Sequence, residues 1–228
     1  MRMQAARCFG ATKKAILALK HYYQSELPLI SRLHPAQRPD LAFPHPSQYV
    51  SLDDGTIHAL KYLSHLHEDK LVFSGTAANA EVCIKFVRQY SKETHLLCSS
   101  LGFAPTLKGF ELVPGGWYIV VMDFINDVYH DLGDSPTKAS FETEVRESVT
   151  KLHQAGFVHG DIRNTNIMVK KNGSPGIMLV DFDWAGVIGD VRYPMNVNDV
   201  DIKRPYGACD NELIMAQHDM LMVDFMFE

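Results

Sequence analysis

The chain has 228 residues, of which 46% are hydrophobic, and its formal net charge is −5. This length allows one large domain or two small lobes around a buried core. The acidic balance argues against a nucleic-acid surface spread over the whole molecule, and the apolar run 117–122 is far shorter than the roughly 20 residues of a membrane helix. Four scattered cysteines match neither a zinc site nor a disulfide-stapled secreted domain. We therefore expect no nucleic acid and no membrane as partner, and a cytoplasmic or nuclear location.

The first 50 residues are interpreted as a helix followed by a proline-rich arm. Residues 12–23 place Ile16, Leu19 and Tyr23 on one helical face, which we expect to dock on the rest of the chain. Basic residues but no acidic ones precede position 26, a composition that is also typical of a mitochondrial presequence, and this alternative stays open. Residues 24–50 contain five prolines and little periodicity, which indicates an extended connector.

A series of strands is predicted next. Apolar alternation predicts strands at 71–76 and 81–87, joined by a turn at 76–80. A first strand over 55–64 is indicated less clearly. The loop between the first two strands contains no glycine, so it differs from the glycine-rich loops whose bare backbone closes over phosphates.

A helix, a hairpin and a second helix are predicted to follow. Residues 90–101 have helical character, and Ser91 is a suitable N-cap. Strands at 106–111 and 117–124 flank a Pro-Gly-Gly turn, and the second of them is apolar on both faces, as expected of a central strand. Residues 139–155 then form an amphipathic helix with one apolar stripe, which ends at a glycine.

One further segment carries most of the polar chemistry. Two short apolar runs, 166–169 and 176–180, flank a turn of Lys, Asn, Gly, Ser and Pro, which predicts a tight hairpin. Because a hairpin returns its ends to one place, we expect Asp161, Asn166 and Asp181 to converge at its mouth. Oxygen ligands so placed suit Mg²⁺, which keeps the rest of its shell for water and phosphates.

This segment resembles the catalytic loop of protein kinases and kinase-like phosphotransferases. Residues 159–166 read His-Gly-Asp-Ile-Arg-Asn-Thr-Asn, and residues 181–183 read Asp-Phe-Asp, like the family's metal-binding Asp-Phe-Gly. The Val-Cys-Ile-Lys run that ends at Lys85 is similar to the Val-Ala-Ile-Lys of the family's third strand. Gly160 replaces an Arg and Asp183 replaces a Gly, departures that are familiar in aminoglycoside and choline kinases and in compact atypical protein kinases.

The resemblance implies ATP and Mg as cofactors and a role for each matching residue. Asp161 would orient the acceptor hydroxyl and accept its proton, while Asn166 and Asp181 would hold the metal. Lys85 would bind the α- and β-phosphates. Arg163 stands where serine/threonine kinases carry a Lys, and it would offset charge on the transferred phosphate.

The resemblance also implies the remaining nucleotide contacts. Lys85 would need a carboxylate partner, and Glu93 is the only acidic residue of the predicted helix that follows it. The other interpretation of Glu93 is that it only favours the N-terminus of that helix electrostatically. Asp123 and Ile125 would present backbone groups to adenine, with Met122 at the back of the pocket.

A loop and a closing helix are predicted after the Asp-Phe-Asp motif. The loop covers 187–211, the place of the activation segment, and its basic residues are Arg192, Lys203 and Arg204. The closing helix covers 212–227 and contains Asp219. This residue resembles the buried kinase Asp that accepts hydrogen bonds from the backbone of the catalytic loop.

Together these features predict an α+β, bilobal protein-kinase-like fold with a small β-rich N-lobe and a truncated, mainly helical C-lobe. Residues 1–50 would form the helix and arm, 51–122 the N-lobe, and 123–228 the hinge and C-lobe. The favoured function is ATP-dependent transfer of the γ-phosphate to a protein Ser/Thr hydroxyl, or to a small molecule as in aminoglycoside and choline kinases, by a monomer. Two alternatives stay open: a pseudokinase that acts as an interaction module, and a hydrolase that uses the acids and His159 around a metal.

Overall fold

The computed structural model describes residues 2–21, 45–67, 70–125 and 128–228. The chain divides into two compact units, Met1–Phe43 and Pro44–Glu228. In the first unit, helix α1 spans Arg2–His21 and therefore begins ten residues earlier than the predicted helix. Ile16 and Leu19 are exposed, and the expected docking of their face stays a prediction. Tyr23 and the connector up to residue 44 lie outside the described residues.

The second unit begins with a small lobe built on a five-stranded antiparallel sheet. Its strands follow the spatial order β3-β4-β5-β7-β6, so the fifth strand along the chain pairs with the seventh at the centre. A short two-stranded ribbon, β1 with β2, precedes this sheet. The strands are β1 (Gln48–Val50), β2 (Ile57–Ala59), β3 (Lys61–His65), β4 (Val72–Ala77), β5 (Ala80–Val87), β6 (Leu107–Val113) and β7 (Trp117–Asp123).

The β4–β5 hairpin confirms the predicted strands and their tight turn. Ala78 and Asn79 form the turn, and both have positive φ, of 48° and 63°. Two successive residues in this region match the twist of the flanking strands, which is why such turns dominate two-residue hairpins. The single strand predicted over 55–64 is wrong, because Leu60 interrupts it. Its amide donates to the Ser47 carbonyl at 2.8 Å, so β2 and β3 belong to different sheets.

Helix α2 (Lys92–Ser100) confirms the predicted helix and its cap. The side chain of Ser91 accepts a hydrogen bond from the amide of Thr94, which satisfies one free donor of the first turn. The amide of Ser91 donates to the Phe182 carbonyl at 3.1 Å. The start of the helix is therefore tied to the Asp-Phe-Asp motif of the larger lobe.

The larger lobe is built on two helices and two small sheets, β11-β10-β8 and β12-β9. A 3-10 helix, Lys138–Phe141, precedes α3, so α3 begins three residues later than predicted. α4 begins four residues later than predicted, because the chain before it forms a bridge between Arg192 and Leu213. The elements are β8 (Tyr129–Asp131), α3 (Glu142–Gln154), β9 (Phe157–Val158), β10 (Ile167–Lys170), β11 (Ile177–Leu179), β12 (Gly186–Val187) and α4 (Ala216–Phe227).

The core of the larger lobe lies between α3, α4 and the β10–β11 hairpin. Val145, Val149 and Leu152 form the predicted apolar stripe of α3 and are fully buried. They join one cluster with Ile167 and Leu179 of the hairpin. Packing on this cluster fixes the hairpin in place, and the mouth of the hairpin opens between the two lobes. The predicted α+β, two-lobed architecture is confirmed.

Candidate active site

A cavity of about 360 Å³ lies between the small lobe and the larger lobe. The sheet of the small lobe, the connection after β7 and the β10–β11 hairpin form its walls. Six of its lining residues are Lys70, Lys85, Met122, Ile125, Asn166 and Asp181. It therefore collects lysine, amide and carboxylate groups that lie far apart along the chain.

The predicted polar cluster at the hairpin mouth is present. Asp161 and Asn166 are buried, at 6% and 2% exposure. The side-chain amide of Asn166 donates to the carboxylate Oδ2 and to the backbone oxygen of Asp161, each at 2.9 Å. The backbone amide of Val180 donates to the Asn166 carbonyl at 3.0 Å, which holds the Asp181 end of the hairpin beside Asn166.

Two arginines surround the carboxylate of Asp161. The Nε atom of Arg163 lies 3.0 Å from Oδ2, and Nη2 of Arg204 lies 2.9 Å from Oδ1. The Arg204 side chain is only 4% exposed and its guanidinium lies 5.0 Å from the centre of the Trp184 ring. Burial strengthens such charge contacts because little water screens them. Arg204 was noted in the sequence only as a basic loop residue.

Asp219 of α4 fixes the backbone at the start of the 159–166 loop through hydrogen bonds. Its carboxylate accepts hydrogen bonds from the amides of His159 and Gly160, at 2.8 and 2.9 Å, and is 1% exposed. His153 contacts the same carboxylate at 3.0 Å through Nε2. The predicted contact between Asp219 and the loop backbone is confirmed, and it fixes the position of Asp161 two residues further on.

Lys85 lies in a buried charge cluster that bridges the two lobes. Its ammonium lies 2.5 Å from Oδ1 of Asp181 and 2.6 Å from Oδ1 of Asp183. The second oxygen of Asp181 contacts the ammonium of Lys70 at 2.8 Å. Lys85 is 6% exposed, so the two carboxylates offset the cost of burying its charge.

The cluster shifts the pKa values of its members in opposite directions. Burial raises the pKa of Asp181, but Lys85 and Lys70 outweigh it and hold that pKa well below the usual value. Burial and the negative charge of Asp181 raise the pKa of Asp183 to about 7, although Lys85 opposes them. Burial alone would lower the pKa of Lys85, yet the two carboxylates raise it. Asp181 is therefore the more strongly ionised of the two acids.

The prediction that Glu93 pairs with Lys85 is wrong. Glu93 is exposed in the first turn of α2, and the carboxylate partners of Lys85 are Asp181 and Asp183. The buried residue of α2 that faces the motif is His95. Its ring stacks on Phe182 at 4.7 Å, and its Nε2 contacts the Pro105 carbonyl at 2.8 Å.

An aromatic column connects the helix to the catalytic loop. Phe182 lies between His95 and His159, whose ring centre is 5.3 Å from its own. Burial lowers the pKa of His95 to about 4, so its ring is neutral at neutral pH. His159 and Phe182 are buried, and the column therefore links α2 to the His159–Asn166 loop and to the Asp-Phe-Asp motif without a charged pair.

The predicted adenine-facing residues line the same cavity. Met122 is buried at the end of β7, and Asp123 and Ile125 follow it at the connection between the lobes. The carboxylate of Asp123 pairs with Lys108 on β6 at 2.8 Å. This ion pair directs the Asp123 side chain to the neighbouring strand, which leaves the backbone as its contribution to the cavity.

The oxygen donors of the cavity fit a magnesium ion. Asn166 uses its amide nitrogen towards Asp161, so its side-chain oxygen remains for a metal. Together with the Asp181 carboxylate it forms a donor set that Mg²⁺ takes from proteins while it keeps sites for phosphates. Among the described residues no group of three or more His, Cys, Asp or Glu side chains could hold a metal ion. A metal at Asp181 would displace at least one lysine, since both carboxylate oxygens are engaged.

Comparison with known proteins identifies the class of fold. The family model of the lipopolysaccharide core biosynthesis protein (WaaY) matches residues 104–214. Citron Rho-interacting kinase of Mus musculus is 34% identical over 100 residues, which are 44% of this chain and 4% of that protein. The same match to the Rattus norvegicus protein has the same identity and coverage. The match thus spans only a small part of these relatives' length.

A solved kinase structure shares the architecture. Vaccinia related kinase 3 superimposes with a TM-score of 0.54 at 13% identity, covering 82% of this chain and 68% of that one. The Cydia pomonella granulovirus kinase PK-1 has a TM-score of 0.49 at 18% identity, over 57% of this chain and 53% of that one. The fold is that of the protein kinases.

None of the helices formed by the described residues combines the length and the apolarity that crossing a membrane requires.

Proposed function

We propose that this chain is an ATP-dependent phosphotransferase that moves the γ-phosphate of ATP to a hydroxyl group with the help of Mg²⁺. The observation that carries the proposal is the meeting of Lys85 with Asp181 at 2.5 Å, beside the Asp161–Asn166 pair, at the wall of one cavity between the lobes. Phosphoryl transfer needs mainly positioning and charge neutralisation. The groups assembled here supply both.

Each residue has a defined task in this proposal. Asp161 orients the acceptor hydroxyl and accepts its proton. Asn166 and Asp181 would hold the metal, which when bound neutralises phosphate charge. Lys85 binds the α- and β-phosphates, and Arg163 offsets charge at the γ-phosphate.

The nucleotide base would lie at the connection between the lobes. The backbone oxygen of Asp123 and the backbone amide of Ile125 face adenine in this proposal, and Met122 limits the depth of the pocket. Because these contacts use the backbone, they depend on the path of the chain more than on side-chain identity. The lining of the cavity by all three residues supports the assignment.

The acceptor is a hydroxyl of a protein or of a small molecule. Arg163 and the likeness to a kinase named for Rho interaction favour a protein Ser/Thr hydroxyl. The likeness to a lipopolysaccharide core biosynthesis family and the presence of Gly160 and Asp183 favour a small, sugar-like acceptor. We propose that the chain acts as a monomer, without nucleic acid or membrane as partner.

A thermal-shift titration tests the nucleotide and metal sites. We expect ATP with Mg²⁺ to raise the melting temperature by several degrees, because ligand at about 100 times its Kd stabilises by about 2.7 kcal/mol. Asp181→Asn should abolish the part of the shift that depends on Mg²⁺. Asp190→Asn is the matched control, since Asp190 is exposed and lies outside the cavity.

The thermal-shift titration, together with an assay of ADP release, separates the proposal from a pseudokinase. The glycine-free loop and the engagement of both Asp181 oxygens favour that second candidate. The pseudokinase follows if parent and Asp181→Asn respond equally, or if Mg²⁺-dependent binding occurs without ADP release in the presence of protein and sugar acceptors. ADP release that requires Asp161 supports the phosphotransferase.

A further inference from the structure

The loop that would cover the nucleotide phosphates carries no glycine. This loop joins β3 to β4. Among the described residues that line the cavity there is also no glycine. Bare backbone amides, which hold phosphates in glycine-rich loops, are therefore not supplied in the usual way. Another group must carry that charge if a nucleotide binds.

Lys70 stands at this place. Its side chain lines the cavity together with Lys85 and is 42% exposed. Its ammonium reaches from the small lobe to Oδ2 of Asp181, 111 residues further along the chain. Both lysines thus approach the same carboxylate, one on each oxygen.

The backbone of Lys70 is held in position by its neighbours. The Nε2 of His65 contacts the Lys70 carbonyl at 2.7 Å, and the amide of Val72 donates to the same carbonyl at 2.8 Å. The ring of His65 stacks on Phe73 at 4.7 Å. The backbone of Lys70 is therefore fixed beside the sheet, while the rotatable bonds of its side chain allow the ammonium to move.

The charges at Asp181 indicate what happens when a ligand enters. When both acids are ionised, the charges of Lys70 and Lys85 balance those of Asp181 and Asp183. A magnesium ion at Asp181 would release an ammonium group. A magnesium–nucleotide complex is still an anion. The released ammonium could therefore donate a charge-assisted hydrogen bond to one of its phosphate oxygens, which would replace the lost carboxylate as counter-ion. Lys70 is the more exposed of the two lysines and the freer to turn.

We propose that Lys70 is a phosphate-binding residue that replaces the glycine-rich loop, and that it exchanges Asp181 for the phosphates of the nucleotide on binding. This inference rests on the proposed function, because it requires that the cavity take a nucleoside triphosphate. The side chain of a lysine supplies as a point charge what a glycine loop supplies through several amides. It also makes the empty site self-neutralising.

The test compares ligands with and without phosphates. Dissociation constants for ATP with Mg²⁺ and for adenosine are measured by calorimetry on the full chain and on Lys70→Gln. In Lys70→Gln we expect the dissociation constant for ATP to rise at least about ten-fold, the effect of one lost charge-assisted contact. The dissociation constant for adenosine should stay unchanged. Lys70→Arg should restore ATP binding to within about three-fold, since it keeps the charge. Lys61→Gln, on the exposed face of β3 and outside the cavity, is the matched control.

Each other outcome is informative. Unchanged or tighter ATP binding in Lys70→Gln overturns the inference, because Lys70 would then only neutralise or block Asp181. An equal loss for ATP and adenosine also overturns it, since that pattern indicates a damaged fold, and urea unfolding of the variant reports such damage directly. Failure of the parent protein to bind ATP sinks the proposed function itself, whereas normal ATP binding with an indifferent Lys70 sinks only this inference.

Discussion

Gly160 explains at the residue scale why this chain departs from the usual protein-kinase motif. Its φ is +82°, a region that side chains rarely adopt. A Cβ atom there would lie 2.8 Å from the side chain of Ile214 and 2.9 Å from the carbonyl oxygen of Trp184. The catalytic loop packs so closely on the segment after Asp183 that only glycine fits.

Gly160→Ala should therefore destabilise the protein more than the backbone strain alone predicts. We expect a loss of about 2–4 kcal/mol in the free energy of unfolding, from strain at positive φ and from overlap in a packed site. Gly102→Ala is the control, because Gly102 has the same φ of +82° and nothing within 4 Å of its added Cβ. It should cost about 1 kcal/mol. Equal losses in urea unfolding would show that crowding contributes nothing.

Helix α4 acts at the scale of an element as the support of the catalytic loop. Asp219 lies in its first turn, buried beneath the loop, and accepts two backbone amides there. These amides have no strand or helix partner among the described residues, so the carboxylate satisfies donors that would otherwise be buried without a bond. A helix that begins at Ala216, 50 residues after Asn166 at the end of the loop, thus sets the position of Asp161.

Asp219→Asn should weaken this support. One of the two oxygens becomes an amide group, which cannot accept from an N–H, and a buried donor is left unsatisfied. We expect a loss of about 2–4 kcal/mol by urea unfolding. Asp224→Asn on the same helix should cost under about 1 kcal/mol, because its ion pair with Arg146 is exposed. A similar loss in both variants would mean that the buried hydrogen bonds are not what matters.

The cluster of Lys70, Lys85, Asp181 and Asp183 acts at the scale of the whole molecule. In the small lobe, Lys85 lies on β5 and Lys70 in the loop between β3 and β4, whereas the two acids belong to the larger lobe. The free energy of unfolding of the protein without nucleotide should therefore depend on pH through this charge cluster. The sign of this pH dependence follows from Asp183, whose pKa is raised to about 7, mainly because the carboxyl group is buried.

A raised carboxyl pKa means that the folded state holds its proton at pH values where the unfolded state has lost it. Stability from Asp183 is then present below its unfolded pKa and is lost as the pH rises to about 7. Urea unfolding between pH 5 and 8, values that bracket this titration, should show the parent losing stability relative to Asp183→Asn. Above about pH 8 the two curves should run parallel. Parallel curves over the whole range would contradict the raised pKa.

The sequence predicted the β10–β11 hairpin well because its determinants are local. Asn166 and Asp181 are brought together by a turn and two short strands that lie between them in the chain. The same holds for the Ser91 cap and for the β4–β5 turn, each of which depends on residues three or fewer positions apart. Local chemistry of this kind is readable from composition and periodicity.

The failed predictions share a different cause. Glu93 is the only acid in the neighbouring helix, whereas the acids that meet Lys85 come from the opposite lobe, 96 and 98 residues away. The strand over 55–64 was read from alternation, which does not reveal that the two halves pair with different partners. In both cases the sequence contains the residues but not the choice among competing partners.

By itself the sequence determined the class of fold, the order of its elements and the polar residues of the catalytic hairpin, since short-range turns and apolar periodicity encode them. Tertiary structure alone decided that Arg204 meets Asp161, that Asp183 holds Lys85 and that Lys70 reaches Asp181. These contacts join residues of different elements. They form because burial of apolar side chains brings the lobes together, and because a buried charge is stable only beside an opposite charge.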